Sequence, residues 1–387
     1  MISTVLLFIL TCILILTVIL EQTFFSIRAP KLQPASSKQL KYFPLVSVIL
    51  PVRNEERNIR TCLNSLINQT YKNYEIIVID GNSTDNTRDI VLDIKNKSKT
   101  SIELLSEGML PTGWIGKSYA NQIGANHAKG KWFLFTDADT VHAENSLLSA
   151  MHYVQKHEVD FLSFESDLVM KTFWEKAVLS VIRHILSVFL RFKRINDDNY
   201  PKRFVANGQY ILIKSSVYKK IGGHEAIRDK ITDDYSLAGL AKGKKYKIRF
   251  LIGTDFLKVR LYANFKEVWY GFSKNFFAVF NYNLVKTSTF VLFYSILFII
   301  PFVLITSGAL LLIIEVNVYS KLVFINGVIQ VSMLMISQAL FNKFIKLKSI
   351  YVVTLPLGLI IFLAIMINSI LRKILNKGSV WKDRIYH

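Results

Sequence analysis

The 387-residue sequence predicts an α/β protein with a mostly parallel sheet, flanking helices, and apolar membrane helices at both ends. Between residues 45 and 154, short β-branched apolar runs alternate with stretches of helical spacing, as a parallel sheet covered on both faces requires. Residues 3–20 and nearly all residues after 289 are apolar, whereas 28–260 has the composition of a soluble domain. We therefore expect a globular domain held between membrane segments.

Four short apolar runs, each bounded by turn residues, predict buried strands. They cover residues 45–50, 75–80, 102–105 and 132–135. Each run is followed by a stretch in which apolar residues repeat at helical spacing. The helices are marked by Ile59, Cys62, Leu63, Leu66 and Ile67; by Ile90, Val91 and Ile94; by Ala120, Ile123 and Gly124; and by Leu147, Leu148, Met151 and Val154.

The N-terminal apolar run lacks a basic start and a small-residue cleavage site, so an uncleaved anchor fits better than a signal peptide. Four basic residues follow it: Arg28, Lys31, Lys38 and Lys41. By the positive-inside rule they place the next domain on the cytoplasmic side. The expected boundaries are 1–22 for the anchor, 23–43 for a linker, 44–282 for the soluble domain, 283–371 for further membrane segments and 372–387 for a basic tail.

Three C-terminal stretches, 290–314, 322–341 and 350–371, are each long enough to cross ~30 Å of hydrocarbon. A third full crossing would leave the basic tail outside, against the positive-inside rule. A re-entrant last stretch is the alternative, so the number of crossings stays open. Two more stretches, 177–192 and 267–282, are apolar or aromatic. Their periodicity is equally typical of helices at the membrane interface and of helices packed in a protein core.

The chain carries a formal net charge of +20, from 48 basic and 28 acidic residues. Nucleic-acid binding is one explanation for so basic a chain. Many of the basic residues flank apolar stretches, however, where they would face anionic lipid headgroups, so we favour a membrane and expect no nucleic-acid partner. With only two cysteines, Cys12 and Cys62, neither a disulfide framework nor a thiolate metal site is possible.

Charged side chains occur at the carboxyl ends of three predicted strands, the edge at which such sheets bind ligands. Arg53 and Glu55 follow the first strand, and Asp80 ends the second. Asp137 and Asp139 follow the fourth. We expect these side chains to meet at one rim of the sheet, which is the main structural argument for a site.

Asp137 and Asp139 form an Asp-x-Asp pair directly after a strand. Two carboxylates separated by one small residue can approach a hard cation together, with water and diphosphate oxygens completing its shell. Such a cation, Mg²⁺ or Mn²⁺, would neutralise a leaving nucleoside diphosphate as a glycosidic bond breaks. A solvated turn or a helix N-cap is the alternative, and the position at a strand end disfavours it. Asp139 is the favoured ligand.

Two other positions suit a nucleotide donor. Asp80 ends a strand beside a turn, where a carboxylate can accept hydrogen bonds from a nucleoside. Lys117 lies on a loop with Gly113 and Gly116, where a cation can clamp a diphosphate. The competing explanations are a turn that merely caps the next helix and a solvated lysine at a helix start.

Asp233 and Asp234 form a second carboxylate pair, after a Gly-Gly-His224 sequence. Their mutual repulsion can raise the pKa of one toward the range of a general base for an acceptor hydroxyl. A helix N-terminus enriched in aspartate is a strong competing explanation. His224 is more often structural than catalytic in such a place, although an acceptor-side hydrogen bond is possible.

At these residues the sequence resembles family 2 glycosyltransferases of the GT-A fold. It is most similar to membrane-bound members that glycosylate lipids, including diaponeurosporenoate and hopanoid-associated glycosyltransferases. The resemblance runs over about 46–275 and again at the C-terminus. It rests on VSVILPVRNEERNI (46–59), QTYKNYEIIVID (69–80), STDNT (83–87), LPTGWIGKSYA (110–120), GKWFLFTDADTVH (130–142), NGQYILI (207–213), IGGHEAI (221–227), TDDYSLA (232–238) and WKDRIY (381–386).

We expect a donor half over 44–168 and an acceptor half with interfacial helices over 169–282. The resemblance implies Asp80 at the nucleoside, Asp137 and Asp139 at ribose and metal, Lys117 and Arg53 near the diphosphate, and Asp234 as the catalytic base. The expected donor-binding residues are Pro51, Arg53, Glu55, Asp80, Lys117 and Asp137, and the expected acceptor-side residues are Asn207, Gln209, His224, Asp233 and Trp269. The family often has two acidic residues where this chain has Asp80 and Gly81, so the nucleobase stays open.

The expected function is metal-dependent, inverting transfer of one sugar from a nucleotide-diphosphate sugar to a membrane lipid, such as a carotenoid or another isoprenoid. A processive Gln-x-x-Arg-Trp signature is missing, which favours a single transfer over polymerisation. The alternatives are a polyprenyl-phosphate sugar synthase and a non-catalytic membrane scaffold. The expected location is the cell membrane, with several crossings and a cytoplasmic catalytic domain.

Overall fold

The computed structural model describes residues 11–13, 15–17, 29–189, 192–280, 282–375, 379–381 and 384–386. The anchor expected over 1–22 lies outside the described residues, apart from two short helical pieces. The strands are β1 (Val46–Val52), β2 (Tyr74–Asp80), β3 (Ile102–Ser106), β4 (Trp132–Phe135), β5 (Thr140–His142), β6 (Phe161–Glu165), β7 (Asp167–Leu168), β8 (Ile211–Lys214), β9 (Ile248–Ile252), β10 (Leu257–Val259), β11 (Ser379–Trp381) and β12 (Arg384–Tyr386).

The α-helices are α1 (Ile59–Ile67), α2 (Thr87–Lys97), α3 (Gly116–His127), α4 (Ser146–Lys156), α5 (Ser180–Phe189), α6 (Phe192–Ile195), α7 (Ser215–Ile221), α8 (Asp233–Gly243), α9 (Phe265–Val279), α10 (Leu284–Ile314), α11 (Val318–Phe344) and α12 (Leu355–Ile374). A π-helical turn, Glu175–Leu179, leads into α5, and 3₁₀ turns occur at Ser37–Gln39, Glu225–Ile227 and Ser349–Thr354. The four predicted strands and the helices after them are confirmed.

The described strands include a seven-stranded sheet with the order β3-β2-β1-β4-β8-β6-β9. β8 runs antiparallel to β4 and β6, and the other strands point in one direction. The predicted mostly parallel sheet is therefore confirmed. A smaller three-stranded sheet, β5-β10-β7, lies beyond the end of β4.

Alternation of side chains along β1 and β2 sends neighbouring residues to opposite faces of the sheet. Val48 and Leu50 join the core formed with α1 and α2. Ile49, Ile77 and Ile79 join a separate core that includes α3. Helices thus cover both faces, as the alternating sequence pattern predicts, and the carboxyl ends of the parallel strands stay open at one edge.

In the described part of the chain, three helical segments are long and apolar enough to cross a membrane: Leu284–Ile314, Val318–Phe344 and Ser349–Ile374. They contain the three stretches predicted at the C-terminus. The last of them combines the 3₁₀ turn with α12, and half of its most apolar window is buried against the rest of the protein.

The two stretches predicted as either interfacial or core-packing helices both pack against α12. Val181, Ile182 and Ile185 of α5 share a core with Leu359 and Phe362 of α12. From the other side, α9 is fastened to α12 by hydrogen bonds. Asn368 Nδ2 donates to Ser273 Oγ at 2.8 Å, and the Phe277 amide donates to Ser369 Oγ at 3.0 Å. The soluble domain and the apolar helices therefore share one core.

α3 lies unusually close to the sheet because Gly124 faces it without a side chain. A Cβ at this position would lie 2.5 Å from Ile49 Cγ2 and 2.7 Å from Ile79 Cδ1. We predict that Gly124→Ala lowers the free energy of unfolding by about 1–3 kcal/mol, because an overpacked core shifts helix or sheet. Thermal unfolding of the detergent-solubilised protein measures the change.

Gly243→Ala is the matched control, since a Cβ there meets nothing within 4 Å. Its midpoint should match that of the unsubstituted protein or rise slightly. Equal midpoints for the two variants would contradict the close packing of α3.

Candidate active site

A cleft of about 1100 Å³ opens at the carboxyl edge of the main sheet and is closed on its far side by α9. It collects residues that are more than 150 positions apart in the chain. Ten of the residues predicted for the site line this cleft: Pro51, Arg53, Glu55, Lys117, Asp137, Asp139, Asn207, Gln209, Asp233 and Asp234. The sheet and the N-termini of α3 and α8 bring them together.

Lys117 lies at the centre of the cleft, in the first turn of α3. Its Nζ is 2.6 Å from Asp137 Oδ1 and 3.9 Å from Asp233 Oδ2. Burial alone would lower the pKa of Lys117, but the carboxylates of Asp137 and Asp233 raise it, so the ammonium stays charged. One cation therefore joins the turn after β4 to the start of α8.

The turn after β4 is held by a buried network of hydroxyl and imidazole groups. Thr136 Oγ1 is 3.0 Å from His142 Nε2 and donates to the Gln209 carbonyl at 2.8 Å. Thr140 Oγ1 donates to the Asp137 carbonyl at 2.6 Å. Burial lowers the pKa of His142 to about 3, so its ring is neutral. The Asp-x-Asp backbone is thus fixed on both sides of Ala138.

Asp139 carries a partly buried carboxylate in the same cleft. Its Oδ1 is buried and has no hydrogen-bond partner among the described residues. Burial, with the charges of Asp137 and Glu55, raises the pKa of Asp139 to about 7. A buried carboxylate beside two others is compensated well by a divalent cation.

The described residues do not include three His, Cys, Asp or Glu side chains gathered as a complete cation cage. Asp137 and Asp139 would therefore supply only part of a coordination shell. Oxygen atoms of a diphosphate and water suit the remainder, because Mg²⁺ commonly keeps waters and phosphate ligands beside one or two carboxylates. The chemistry and burial of this carboxylate pair fit a divalent metal.

Asp234 lies opposite the Asp-x-Asp turn, in the first turn of α8. Its Oδ2 accepts the Gly208 amide at 2.9 Å, and its Oδ1 accepts the Tyr235 amide at 2.7 Å. Burial and the charge of Asp233 raise the pKa of Asp234 to about 6, against the opposing effect of Lys117. A carboxylate with this pKa is ionised at neutral pH and still basic enough to take a proton.

The loop before β8 completes the wall beside Asp234. The Asn207 amide donates to Ser163 Oγ at 2.8 Å, and Gln209 Oε1 accepts from Ser166 Oγ at 2.5 Å. Between them, Gly208 leaves room for its neighbours, since a Cβ there would lie 3.1 Å from Lys117 Nζ. Asn207, Gly208 and Asp234 thus form one surface that faces Lys117.

Residues 47–222, which carry the Asp-x-Asp turn and Lys117, match the family described as glycosyl transferase family 2. The chain contains a family 2 glycosyltransferase domain. The 4,4'-diaponeurosporenoate glycosyltransferase of Staphylococcus aureus (strain MRSA252) is 25% identical over 235 residues, which are 59% of this chain and 60% of that relative. The chain thus spans about three fifths of the length of the curated relatives it matches.

One of two similar solved structures supports the fold, with a TM-score above 0.5. The mannosyltransferase PcManGT from Pyrobaculum calidifontis, in complex with GDP-Man and Mn²⁺, aligns with a TM-score of 0.53 at 16% identity, over 96% of this chain and 99% of that chain. TarS of S. aureus aligns with a TM-score of 0.42 at 19% identity, over 59% of this chain and 38% of that chain. The fold is of the GT-A type that the resemblance implied.

Asp80 does not line the cleft of the family 2 domain in the structure described. Alternation along β2 turns its side chain toward α1 and α2, away from α3. There Asp80 Oδ1 accepts the Ser83 amide at 3.2 Å, and Oδ2 is 3.9 Å from Arg88 Nη1 of α2. Asp80 therefore supports the turn below the cleft, and its contact with a nucleoside stays a prediction.

His224 also lies behind the family 2 cleft rather than in its lining. Its Nδ1 is 2.9 Å from Tyr218 Oη, and its Nε2 is 3.3 Å from Asn121 Nδ2. Burial lowers the pKa of His224 to about 4, so the ring is neutral. These contacts agree with a structural role for His224. The residue lies behind the residues that line the cleft, and its predicted acceptor-side role stays a prediction.

Trp269 is likewise outside the lining, because it packs with the apolar core shared by α9 and α12. The residues of α9 that line the family 2 cleft are Glu267, Tyr270, Gly271, Phe272 and Lys274. Glu267, Tyr270, Gly271 and Lys274 have the spacing of three and four residues that places side chains on one helix face. The sequence predicts Trp269 on the acceptor side, but the aromatic content of this stretch does not indicate which face of the helix lines the cleft.

The lining residues that sequence reasoning missed include four with charged or phenolic side chains: Glu107, Arg260, Tyr262 and Lys274. Arg260 Nε is 3.1 Å from Glu175 Oε1, whose side chain is fully buried, so this ion pair fixes the cleft wall to the π-helical turn. Burial, together with the charge of Lys117, lowers the pKa of Lys274 to about 8. The spacing Glu267-x₂-Tyr270-Gly271-x₂-Lys274 is the one signal in the sequence that indicates a second, polar face on the aromatic helix.

We predict that Asp139→Asn stabilises the protein in the absence of nucleotide and metal. Asp139 has a pKa near 7 in the folded protein and an ordinary value of 3.8, so its ionisation opposes folding increasingly as pH rises from about 4 to 7. Removal of the charge should raise the free energy of unfolding by about 1–3 kcal/mol at pH 8. Thermal unfolding in the presence of EDTA measures it.

The control is Asp89→Asn, an exposed aspartate in the first turn of α2. It should leave the midpoint unchanged or slightly lower, because it removes a favourable charge at a helix N-terminus. A lower midpoint for Asp139→Asn at pH 8 would show that the carboxylate is well compensated in the folded protein.

Proposed function

We propose that this chain transfers one sugar, with inversion, from a nucleotide-diphosphate sugar to a hydroxyl or carboxyl group of a membrane lipid. The observation that carries the proposal is the convergence of Lys117, Asp137 and Asp234 in one cleft of a family 2 glycosyltransferase domain. A carotenoid or another isoprenoid is the acceptor class favoured, because the curated relatives are named for a carotenoid acid.

The donor half of the cleft has the charges that a nucleoside diphosphate needs. Lys117 and Arg53 offer cationic donors to phosphate oxygens. Asp137 and Asp139 would hold a divalent cation, which neutralises charge on the departing diphosphate when bound. A solved relative of the same fold contains GDP-Man and Mn²⁺.

Asp234 is the proposed general base. Its carboxylate removes the proton of the acceptor hydroxyl as the acceptor oxygen forms a bond to the anomeric carbon. The bond between that carbon and the diphosphate oxygen breaks in the same displacement, so the configuration inverts and no covalent sugar–protein intermediate is needed. The amides of Gly208 and Tyr235 hold the Asp234 carboxylate in a fixed orientation.

The acceptor half is built on α9, which separates the cleft from α12. Tyr270 and Gly271 face the cleft, whereas Val268 and Phe276 pack in the core shared with α12. A lipid held beside the apolar helices needs to cross only this one helix layer to reach Asp234. We further propose that the protein lies in the cell membrane with its catalytic domain on the cytoplasmic side, as the basic residues after the N-terminal apolar run predict.

The direct test is incubation of membranes that contain the protein with labelled UDP- and GDP-sugars, followed by lipid extraction. We predict label in the organic phase with Mn²⁺ and a loss of at least about 100-fold when EDTA removes the metal. Membranes without the protein are the control. Label that stays in the aqueous phase with both donors and with Mn²⁺ would refute lipid glycosylation, and label unaffected by EDTA would refute metal dependence alone.

We predict that Asp234→Asn lowers kcat by about 10²–10⁴-fold, because the amide cannot accept the acceptor proton. In the unsubstituted protein, kcat/KM should fall as pH decreases through about 6, since the raised pKa of Asp234 leaves it protonated below that value. Rates measured from pH 5 to 8 with a fixed donor concentration test both statements.

Asp229→Asn, an exposed aspartate near the cleft, is the control and should retain full activity. A phosphate or carboxylate acceptor is already ionised at neutral pH and needs little base catalysis, so an Asp234→Asn variant that kept most of its activity would favour a polyprenyl-phosphate sugar synthase or transfer to a carboxyl group. It would rule out the proposed role of Asp234.

A further inference from the structure

The three strands at the donor end of the sheet place Arg53, Gly81 and Glu107 in one row. Val52 pairs with Asp80, and Asp80 pairs with Ser106 in the parallel register. The ladder continues one step further, since the Gly81 amide donates to the Val52 carbonyl at 2.8 Å and the Glu107 amide donates to the Asp80 carbonyl at 2.8 Å. Arg53, Gly81 and Glu107 therefore follow the ends of three adjacent strands at the same level.

This row faces the cleft, on the α3 side of the sheet. The residues two positions earlier, Ile79 on β2 and Leu105 on β3, belong to the core that includes α3. Side-chain alternation gives Gly81 and Glu107 the same side and gives Asp80 the other. All three members of the row line the cleft.

Gly81 leaves a gap in the middle of the row, and Glu107 reaches into it. A Cβ on Gly81 would lie 3.0 Å from Glu107 Oε2 and 3.4 Å from Arg53 Cβ. The Glu107 carboxylate thus lies beside the space that a second acid after β2 would use. Its backbone is fixed there, because Asn82 Nδ2 donates to the Gly108 carbonyl at 2.8 Å.

We propose that Glu107 reads the nucleobase of the donor nucleotide, an inference that rests on the proposed function. A carboxylate accepts a hydrogen bond from a protonated ring nitrogen, which uracil offers at N3 and guanine at N1. Cytosine and adenine present an unprotonated nitrogen there, whose lone pair opposes the carboxylate. The cleft is thereby selective for UDP- or GDP-sugars, and Glu107 supplies from β3 the acid that β2 lacks at residue 81.

The test measures the affinity of the full-length protein in detergent, with Mn²⁺, for UDP, GDP, CDP and ADP. Titration calorimetry should give UDP or GDP an affinity at least ~10-fold higher than that of CDP and ADP. Glu107→Gln should weaken the preferred diphosphate by ~10-fold or more and leave CDP and ADP unchanged or bound more tightly, because the amide can donate to their unprotonated ring nitrogen. If Glu107 served only the folding of the protein, Glu107→Gln would weaken the binding of all four diphosphates equally. The ratio of the affinity for UDP or GDP to that for CDP or ADP therefore distinguishes nucleobase recognition from a structural role.

Glu103→Gln is the matched control, since it is the same substitution on β3 outside the cleft lining, and it should keep the ratio. If Glu107→Gln does not fold, the same affinity ratio is measured with Glu107→Asp, which keeps the carboxylate on a side chain one methylene shorter. The preference of this variant for UDP or GDP should also fall. An unchanged ratio in the folded variant, or a protein that prefers CDP or ADP, overturns the role of Glu107. A protein that binds none of the four diphosphates instead overturns the proposed function.

Discussion

The cleft depends on one ammonium group that is surrounded by carboxylates. Asp137, Asp233 and Asp234 come from two distant segments and would repel each other strongly in a partly buried space. Lys117 compensates them, with direct ion pairs to the first two. Removing one partner of such a buried ion pair destabilises a protein strongly, because it leaves the other charge uncompensated, whereas replacing both partners by apolar residues is often neutral. Lys117 is therefore a condition for bringing the two halves of the cleft together.

The position of Lys117 in turn depends on how closely α3 lies against the sheet. Gly124 lets the helix approach Ile49 and Ile79, and this approach fixes where the first turn of α3 meets the strand ends. The Asp-x-Asp turn is fixed separately, by Thr136, Thr140 and His142. Core packing around Gly124 thus positions the ammonium group of Lys117, and the buried polar network positions the carboxylates of the Asp-x-Asp turn.

The sequence predicts the strands and most of the site because local signals suffice for both. Apolar runs mark β1 to β4, and charges directly after them must lie at one edge of a parallel sheet. Which face a side chain takes at a strand end is a matter of register, and this is why Asp80 was assigned to the cleft and Glu107 was not. Lys274 depends on tertiary packing, because only the contact of α9 with α12 determines which face of that helix is left for the cleft.

α9 has to satisfy two environments at once, and this explains its composition. One face supplies Glu267, Tyr270 and Lys274 to a polar cleft, and Tyr262 packs directly over Gly271 on it. Other side chains of the helix join the core of α12, and two hydrogen bonds fasten the helices together. A displacement of α12 would therefore carry this wall of the cleft with it. Since Asp234 is held on α8, outside this helix pair, the distance between Asp234 and the α9 wall is set by the packing of the apolar helices against the α/β domain.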